Sequence, residues 1–154
     1  MRIRLAQASD FETVRTITHT TINAVYPHYY PAGAVAFFLA HHSTENISSD
    51  ISAGRVSLLI DDTNNAAGTV TIKDNEICRL FVLPQYQGKG YGKELIDFAE
   101  KEIAQNYDEI VLDASLSAKA IYLKRGYRQT DYHTIRTVNG DHLCYDVMTK
   151  AIEK

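Results

Sequence analysis

The sequence predicts an α/β fold built on a mixed sheet, and three features of its 154 residues carry that prediction. Apolar runs of strand length alternate with segments at helical spacing. Three strand-like runs between Arg55 and Leu83 are separated by short polar turns, the pattern of an antiparallel meander. After Leu83 the order becomes helix, strand, helix, so the strands on either side of the first of these helices are joined by a crossover and run parallel.

In chain order, RIRLA (Arg2 to Ala6) reads as a strand, and Ser9 with Glu12 reads as a capping box. The helix it opens carries Phe11, Val14, Ile17, Thr21 and Val25 on one face and ends near Tyr26-Pro27. A second helix is predicted from Pro31, with Val35, Phe38 and Leu39 at helical spacing, and a short third from Thr44 to about Ala53. The meander follows: RVSLLID (Arg55 to Asp61), a DTNN turn, AGTVTIK (Ala67 to Lys73), a tight Asp74-Asn75 turn, and EICRLFVL (Glu76 to Leu83). Beyond Gly92, Leu95, Ile96, Ala99 and Ile103 share a helical face, and EIVLDA (Glu109 to Ala114) is a strand. Ala118 to Arg125 is a short helix with Gly126 just past its end. RQTDYHTIRTV and DHLCYDVMTK flank Asn139-Gly140, the dipeptide preferred for a type I′ turn, and make a C-terminal β-hairpin.

Composition excludes several classes. The chain fits one domain, residues 1–154, with no repeat or linker. A net charge of -3 implies no basic face, so nucleic acid is not an expected partner. No stretch is long and apolar enough to span a bilayer and the start lacks a secretory signal, which predicts a cytoplasmic protein without a membrane partner. Cys78 and Cys144 are too few for a disulfide framework and lack metal-site spacing, so both read as reduced thiols in strands. His41 and His42 are adjacent rather than four apart, and no metal is expected.

The chemistry begins with Gly88, Gly90 and Gly92, three glycines at alternate positions between a strand and a helix. Glycine admits positive φ and close approach of backbone N–H groups, and a helix start adds partial positive charge, so this stretch suits a phosphate or pyrophosphate. A P-loop is excluded: Gly88 to Gly92 is one residue short, and Glu94 stands where a magnesium-binding hydroxyl belongs. A dinucleotide fingerprint needs G-x-G-x-x-G directly after a strand, whereas PQYQ intervenes here. Asp113, at the end of the next strand, keeps a dinucleotide-binding protein as a minor alternative.

Gln87-Gly88-Lys89-Gly90-Tyr91-Gly92 resembles the Q/R-x-x-G-x-G/A signature of the GNAT superfamily of acyl-CoA-dependent N-acetyltransferases, and LFVLPQY is similar to its lead-in. SLSAKAIYLKRGY (Ser115 to Tyr127) resembles the family's second motif, with Ser115 where an Asn often stands. The resemblance is clear from Glu76 to Tyr127. It implies a single-domain GNAT-like fold: a mixed, mostly antiparallel sheet with two splayed parallel central strands (Glu76 to Leu83 and Glu109 to Ala114) flanked by helices. It further implies that acetyl-CoA lies between those strands, its pyrophosphate on Gln87, Gly88, Lys89, Gly90, Tyr91, Gly92 and Lys93. The pantetheine arm would lie along the backbone of Phe81, Val82 and Leu83, an open strand edge being able to bind an amide-bearing arm.

Acetyl transfer needs donors for the carbonyl oxygen and a proton for the departing thiolate. The family's acid tyrosine would be Tyr122, which periodicity alone reads as a buried aromatic beside Ala118 and Ile121. Glu76, eleven residues before Gln87, matches the offset of a catalytic glutamate in histone-type relatives, or is a charge on a polar turn. Cys78 has no evident histidine partner, so direct attack is expected rather than an acyl-enzyme. In this family the first helices commonly build the acceptor pocket, where Tyr26, His28, Tyr29 and Tyr30 could hold an amine or form only a Tyr/Pro linker. The expected activity is N-acetyl transfer to a primary amine on a small molecule, peptide or protein. The alternative is a non-catalytic acyl-CoA sensor, and a homodimer is left open.

Overall fold

The computed structural model describes residues 1–153; Lys154, the last residue of the predicted domain, lies outside them. The strands are β1 (Arg2–Leu5), β2 (Val56–Ile60), β3 (Ala66–Lys73), β4 (Glu76–Val82), β5 (Glu109–Ala114), β6 (Arg128–Arg136) and β7 (His142–Ala151). They form one 7-stranded sheet in the order β1-β2-β3-β4-β5-β7-β6, in which β4 and β5 are the parallel pair and the other neighbours are antiparallel. The helices are α1 (Phe11–Val25), α2 (Ala32–His41), α3 (Thr44–Ser52), α4 (Tyr91–Ala104) and α5 (Lys119–Lys124).

Both faces of the sheet are covered, which is why β2, VSLLI, is buried along its whole length rather than alternating. On one face Val14, Ile17 and Ile22 of α1 and Ile47 of α3 pack with Leu58, Ile60 and Phe81. On the other, Leu95, Ile96, Ala99 and Ile103 of α4 pack with Leu59, Val70, Ile110, Leu112 and Met148. The four α4 residues read from helical spacing are all buried. Gly68 lets α4 approach: a Cβ there would lie 2.9 Å from Leu95 Cδ1 and 2.9 Å from the Phe81 carbonyl oxygen.

Two local expectations are corrected. The Ser9–Glu12 capping box does not form; Asp10 instead accepts from the Gln7 N–H at 2.8 Å and pairs with Arg4 at 2.8 Å. The β6–β7 hairpin is not closed by a two-residue type I′ turn. Gly140 has φ 87 but Asn139 stays at negative φ, and the Gly140 N–H donates to the Thr137 carbonyl at 2.9 Å. The result is a three-residue loop with glycine alone in the left-handed region.

A buried polar network ties the N-terminal helices to β4. Arg79, 6% exposed, pairs with Asp50 of α3 at 2.6 Å, and its Nε donates to Nδ1 of His42 at 2.8 Å. Accepting from arginine requires a neutral imidazole, and burial together with the Arg79 charge brings the His42 pKa down to about 3.

Two outcomes follow from this packing. Gly68→Ala should lower stability by about 1–3 kcal/mol, because the added methyl meets backbone on one side, and urea unfolding measures it. His42 in the unfolded chain takes up a proton near its ordinary pH 6.5 but in the fold only near 3. Its contribution to stability is therefore complete above about pH 6.5 and lost as pH falls toward 3. Within that window His42→Gln should flatten the stability profile by up to about 1.4 kcal/mol per pH unit, whereas parallel profiles would show that His42 does not titrate there.

Candidate active site at the splayed strands

The parallel pair β4–β5 is short. Only Glu76 with Val111 and Ile77 with Leu112 are in register, after which β4 stays with β3 while β5 follows β7 to Asp146. The Leu83 N–H bonds the Ala67 carbonyl at 2.9 Å, so by antiparallel alternation the backbone groups of Phe81 and Leu83 face β3. Those of Leu80 and Val82 face the opening. The Val82 carbonyl accepts from Gln87 Nε2 at 2.9 Å; the Val82 N–H and both backbone groups of Leu80 have no partner among the described residues. Of the predicted Phe81–Leu83 edge, Val82 thus presents its backbone to the opening, and Leu80 joins it.

The glycine loop sits at the mouth of this opening. Gly88 and Gly90 have φ 78 and 84, the left-handed region, and Gly90 immediately precedes α4. A Cβ at Gly88, Gly90 or Gly92 would meet nothing within 4 Å, so the space beside all three is free of protein. The N–H groups from Gly88 to Lys93 have no acceptor among the described residues. Gln87 differs from them: its N–H donates to Pro84 at 3.2 Å and its side chain holds Val82, so it shapes the loop. Lys93 pairs with Asp97 at 2.6 Å, and the Lys89 ammonium lies 5.5 Å from the Tyr86 ring centre.

Two cavities meet at the splay. One, about 620 Å³, runs from Gly88, Gly90, Tyr91, Gly92 and Lys93 inward between β4 and α5. The other, about 700 Å³, is lined by Phe37 and His41 of α2, Asp50 of α3, Glu76 and Cys78 of β4, Asp113 of β5 and Tyr145 of β7. They share Tyr26, Leu80, Phe81, Ser115, Ala118 and Tyr122, so a ligand in either cavity reaches the same junction.

Tyr122 is 7% exposed, its ring packs edge-on to Tyr127 at 5.4 Å, and its hydroxyl makes no hydrogen bond among the described residues. Burial, with a smaller push from Tyr26, raises its pKa, so the phenol is protonated at neutral pH. Glu76 lies at the paired end of β4, where burial and then the Asp113 charge raise its carboxyl against the opposing effect of Lys73. Of the four aromatic and imidazole residues before α2, Tyr26 lines both of these cavities and the other three line neither. His28 and Tyr29 face solvent, and the Tyr30 hydroxyl is engaged by backbone at Leu116 and Cys144. Sequence reasoning missed Thr21, Ile96 and Arg125 on the first cavity because each reads as an ordinary residue of its own helix. Among the described residues no three His, Cys, Asp or Glu side chains could share a metal, and no helix is long and apolar enough to cross a membrane.

Residues 25–148 match the profile of a family described as an acetyltransferase (GNAT) domain. Among solved structures, a GCN5-related N-acetyltransferase from Rhodopseudomonas palustris is 25% identical with a TM-score of 0.87, covering 98% of this chain and 95% of that one. PaiA N-acetyltransferase from Thermoplasma acidophilum, solved with coenzyme A, is 22% identical with a TM-score of 0.74 and 98% coverage of both chains. YncA from Salmonella typhimurium, a putative acetyltransferase solved with acetyl-CoA, is 18% identical with a TM-score of 0.73, covering 100% of this chain and 95% of that one. Among proteins of curated function no sequence matches.

Gly92 separates loop geometry from ligand space, because its φ is ordinary and the room beside it is empty. Gly92→Val should leave the melting temperature within a few degrees while weakening coenzyme A binding at least about tenfold, or about 1.4 kcal/mol, by calorimetric titration. Unchanged affinity in the folded variant would move the phosphates away from this loop.

Proposed function

Because this chain belongs to the GNAT acetyltransferase family, we propose that it moves an acetyl group from acetyl-CoA to a primary amine, with the amine attacking the thioester directly. The observation that carries this reading is the junction, where a glycine-lined cleft and a second cavity open onto the same protonated tyrosine. Acetyl-CoA supplies the acetyl thioester and a thiolate leaving group. The chain fits it: unpaired N–H groups and empty space beside three glycines suit a pyrophosphate, and the free β4 edge suits an amide-bearing arm. Family membership leaves no place for the dinucleotide alternative.

Each group then has one task. Gly88 to Lys93 hold the phosphates through backbone N–H groups, with the start of α4 adding its dipole. Leu80 and Val82 align the arm, and the Val82 N–H donates to the thioester carbonyl oxygen as the new N–C bond forms and the C–S bond breaks. Tyr122 gives its proton to the departing sulfur. The amine loses its proton to water; Glu76 serves as the base through a water file, since it lies four residues from Leu80, about 13 Å along the strand. Its raised pKa suits that exchange. The Cys78 thiol, pushed up to about 11 mainly by burial, is a poor nucleophile, which supports direct attack. Both cysteines are free, as suits the reducing cytoplasm.

The acceptor enters by the second cavity, where Tyr26 offers an aromatic face to an amine on a small molecule, peptide or protein. An acetyl-CoA turnover screen over amines, polyamines and peptides, read by thiol release, tests the activity; coenzyme A binding without turnover on any acceptor would favour the sensor. Tyr122→Phe removes a hydroxyl that bonds to no group among the described residues, so stability and coenzyme A affinity should hold. Its turnover should fall by about 100-fold, the low end for positioned proton transfer, because thiolate already leaves well near neutral pH. Full turnover, with chemistry limiting the rate, would leave Tyr122 a packing residue.

A further inference from the structure

Tyr30 is buried, is not part of either cavity, and carries a hydroxyl that the mechanism above does not use. That hydroxyl accepts from the Leu116 N–H at 2.7 Å and donates to the Cys144 carbonyl at 3.3 Å. Leu116 lies in the connection from β5 to α5, whose Ser115 and Ala118 line the junction. Cys144 lies on β7, the strand that β5 follows as it leaves β4. The Tyr30 ring is fixed from the other side, 5.7 Å from Tyr26 and 5.1 Å from Phe38 between ring centres, and Tyr26 in turn lies 6.3 Å from Phe81 of β4. One side chain therefore spans the two arms of the splay: aromatic packing reaches β4, and hydrogen bonds reach the β5–α5 connection and β7.

We propose that Tyr30 is a positioning residue whose hydroxyl clamps the β5–α5 connection so that Tyr122 is held at the junction. The Leu116 N–H has the Tyr30 hydroxyl as its acceptor, and the Leu116 side chain is 45% exposed. The remaining tethers lie on α5 and at its end: Lys119, its first residue, pairs with Asp146 of β7 at 2.9 Å and bonds Gln129 at 3.2 Å, and Arg125, just past it, pairs with Asp97 and Glu100 of α4 at 2.6 and 3.1 Å. With the Tyr30 hydroxyl gone, α5 keeps its fold and the ion pairs at its two ends, but the connection that leads into it loosens, and Tyr122 loses its registration with the bond that breaks.

This inference rests on Tyr122 as the acid, so the test is a double-mutant cycle with Tyr30→Phe and Tyr122→Phe, in which the ring packing is retained. Turnover is measured with acetyl-CoA and the amine that reacts fastest in the screen above, and hydrogen exchange is followed at the Leu116 amide. Tyr30→Phe should speed Leu116 exchange at least about tenfold without changing exchange in α4. It should lower kcat about tenfold, with KM for the amine and coenzyme A affinity held within about twofold. In the Tyr122→Phe background the same substitution should change kcat less than about twofold. If Tyr30→Phe fails to fold, 3-fluorotyrosine at this position keeps the hydroxyl but weakens it as an acceptor, and should raise Leu116 exchange by a smaller factor. Unchanged Leu116 exchange, or a loss of kcat that is equal in both backgrounds, would overturn the positioning role alone. Full turnover in Tyr122→Phe would overturn the acid reading and this inference with it.

Discussion

Everything at the site depends on β4 and β5 pairing for two residues and then parting. Parallel strands that stayed paired would satisfy each other's backbone groups and close the sheet. Parting at Ile77 leaves the edge of β4 unpaired at Leu80 and Val82, opens a cavity on each side, and places the β5–α5 connection across the gap. An open edge inside a sheet costs unsatisfied backbone polar groups, a cost that a ligand able to pair with them relieves.

The opening is kept by packing on both faces. On one, α4 presses on β3 at Gly68, and its first turn carries the glycine loop to the mouth of the gap. On the other, Tyr26, Tyr30, Phe38 and Phe81 form a wedge of rings with Tyr26 and Phe38 edge-on at 4.8 Å between ring centres. The Arg79–Asp50–His42 network then ties the helices that carry the wedge to β4. β4 thus enters the cores on both faces, Phe81 in one and Ile77 and Val82 in the other, while β5 packs Ile110, Leu112 and Ala114 into the second.

What could be read from the sequence is local in the chain. The α4 face, the meander and the glycine loop each lie within about thirty consecutive residues, where periodicity and turn chemistry act directly. Where sequence reasoning went astray at a local motif, a competing contact decided the outcome. Arg4 draws Asp10 into an ion pair where a Ser9 cap was expected. At Asn139-Gly140 the Thr137 carbonyl closes the turn one residue earlier than the dipeptide suggests. The motif implied a place for Tyr122, which the fold puts at the junction, but the second cavity was not legible, since its walls come from α2, α3, β4, β5 and β7 and each residue looks ordinary within its own element. Tyr30 is the extreme case, with hydrogen-bond partners 86 and 114 residues away.

The central claim is that the unpaired β4 edge and the glycine loop together form one ligand site. Backbone amide resonances followed during a coenzyme A titration test it most directly. The account predicts that the largest shifts fall on Leu80, Val82 and Gly88 through Lys93, with β1 and the end of α4 unmoved. A third hollow, about 410 Å³, lies between those two elements and is lined by Leu5, Arg55 and Tyr107. Shifts concentrated there, with Leu80 and Val82 unchanged, would contradict the account.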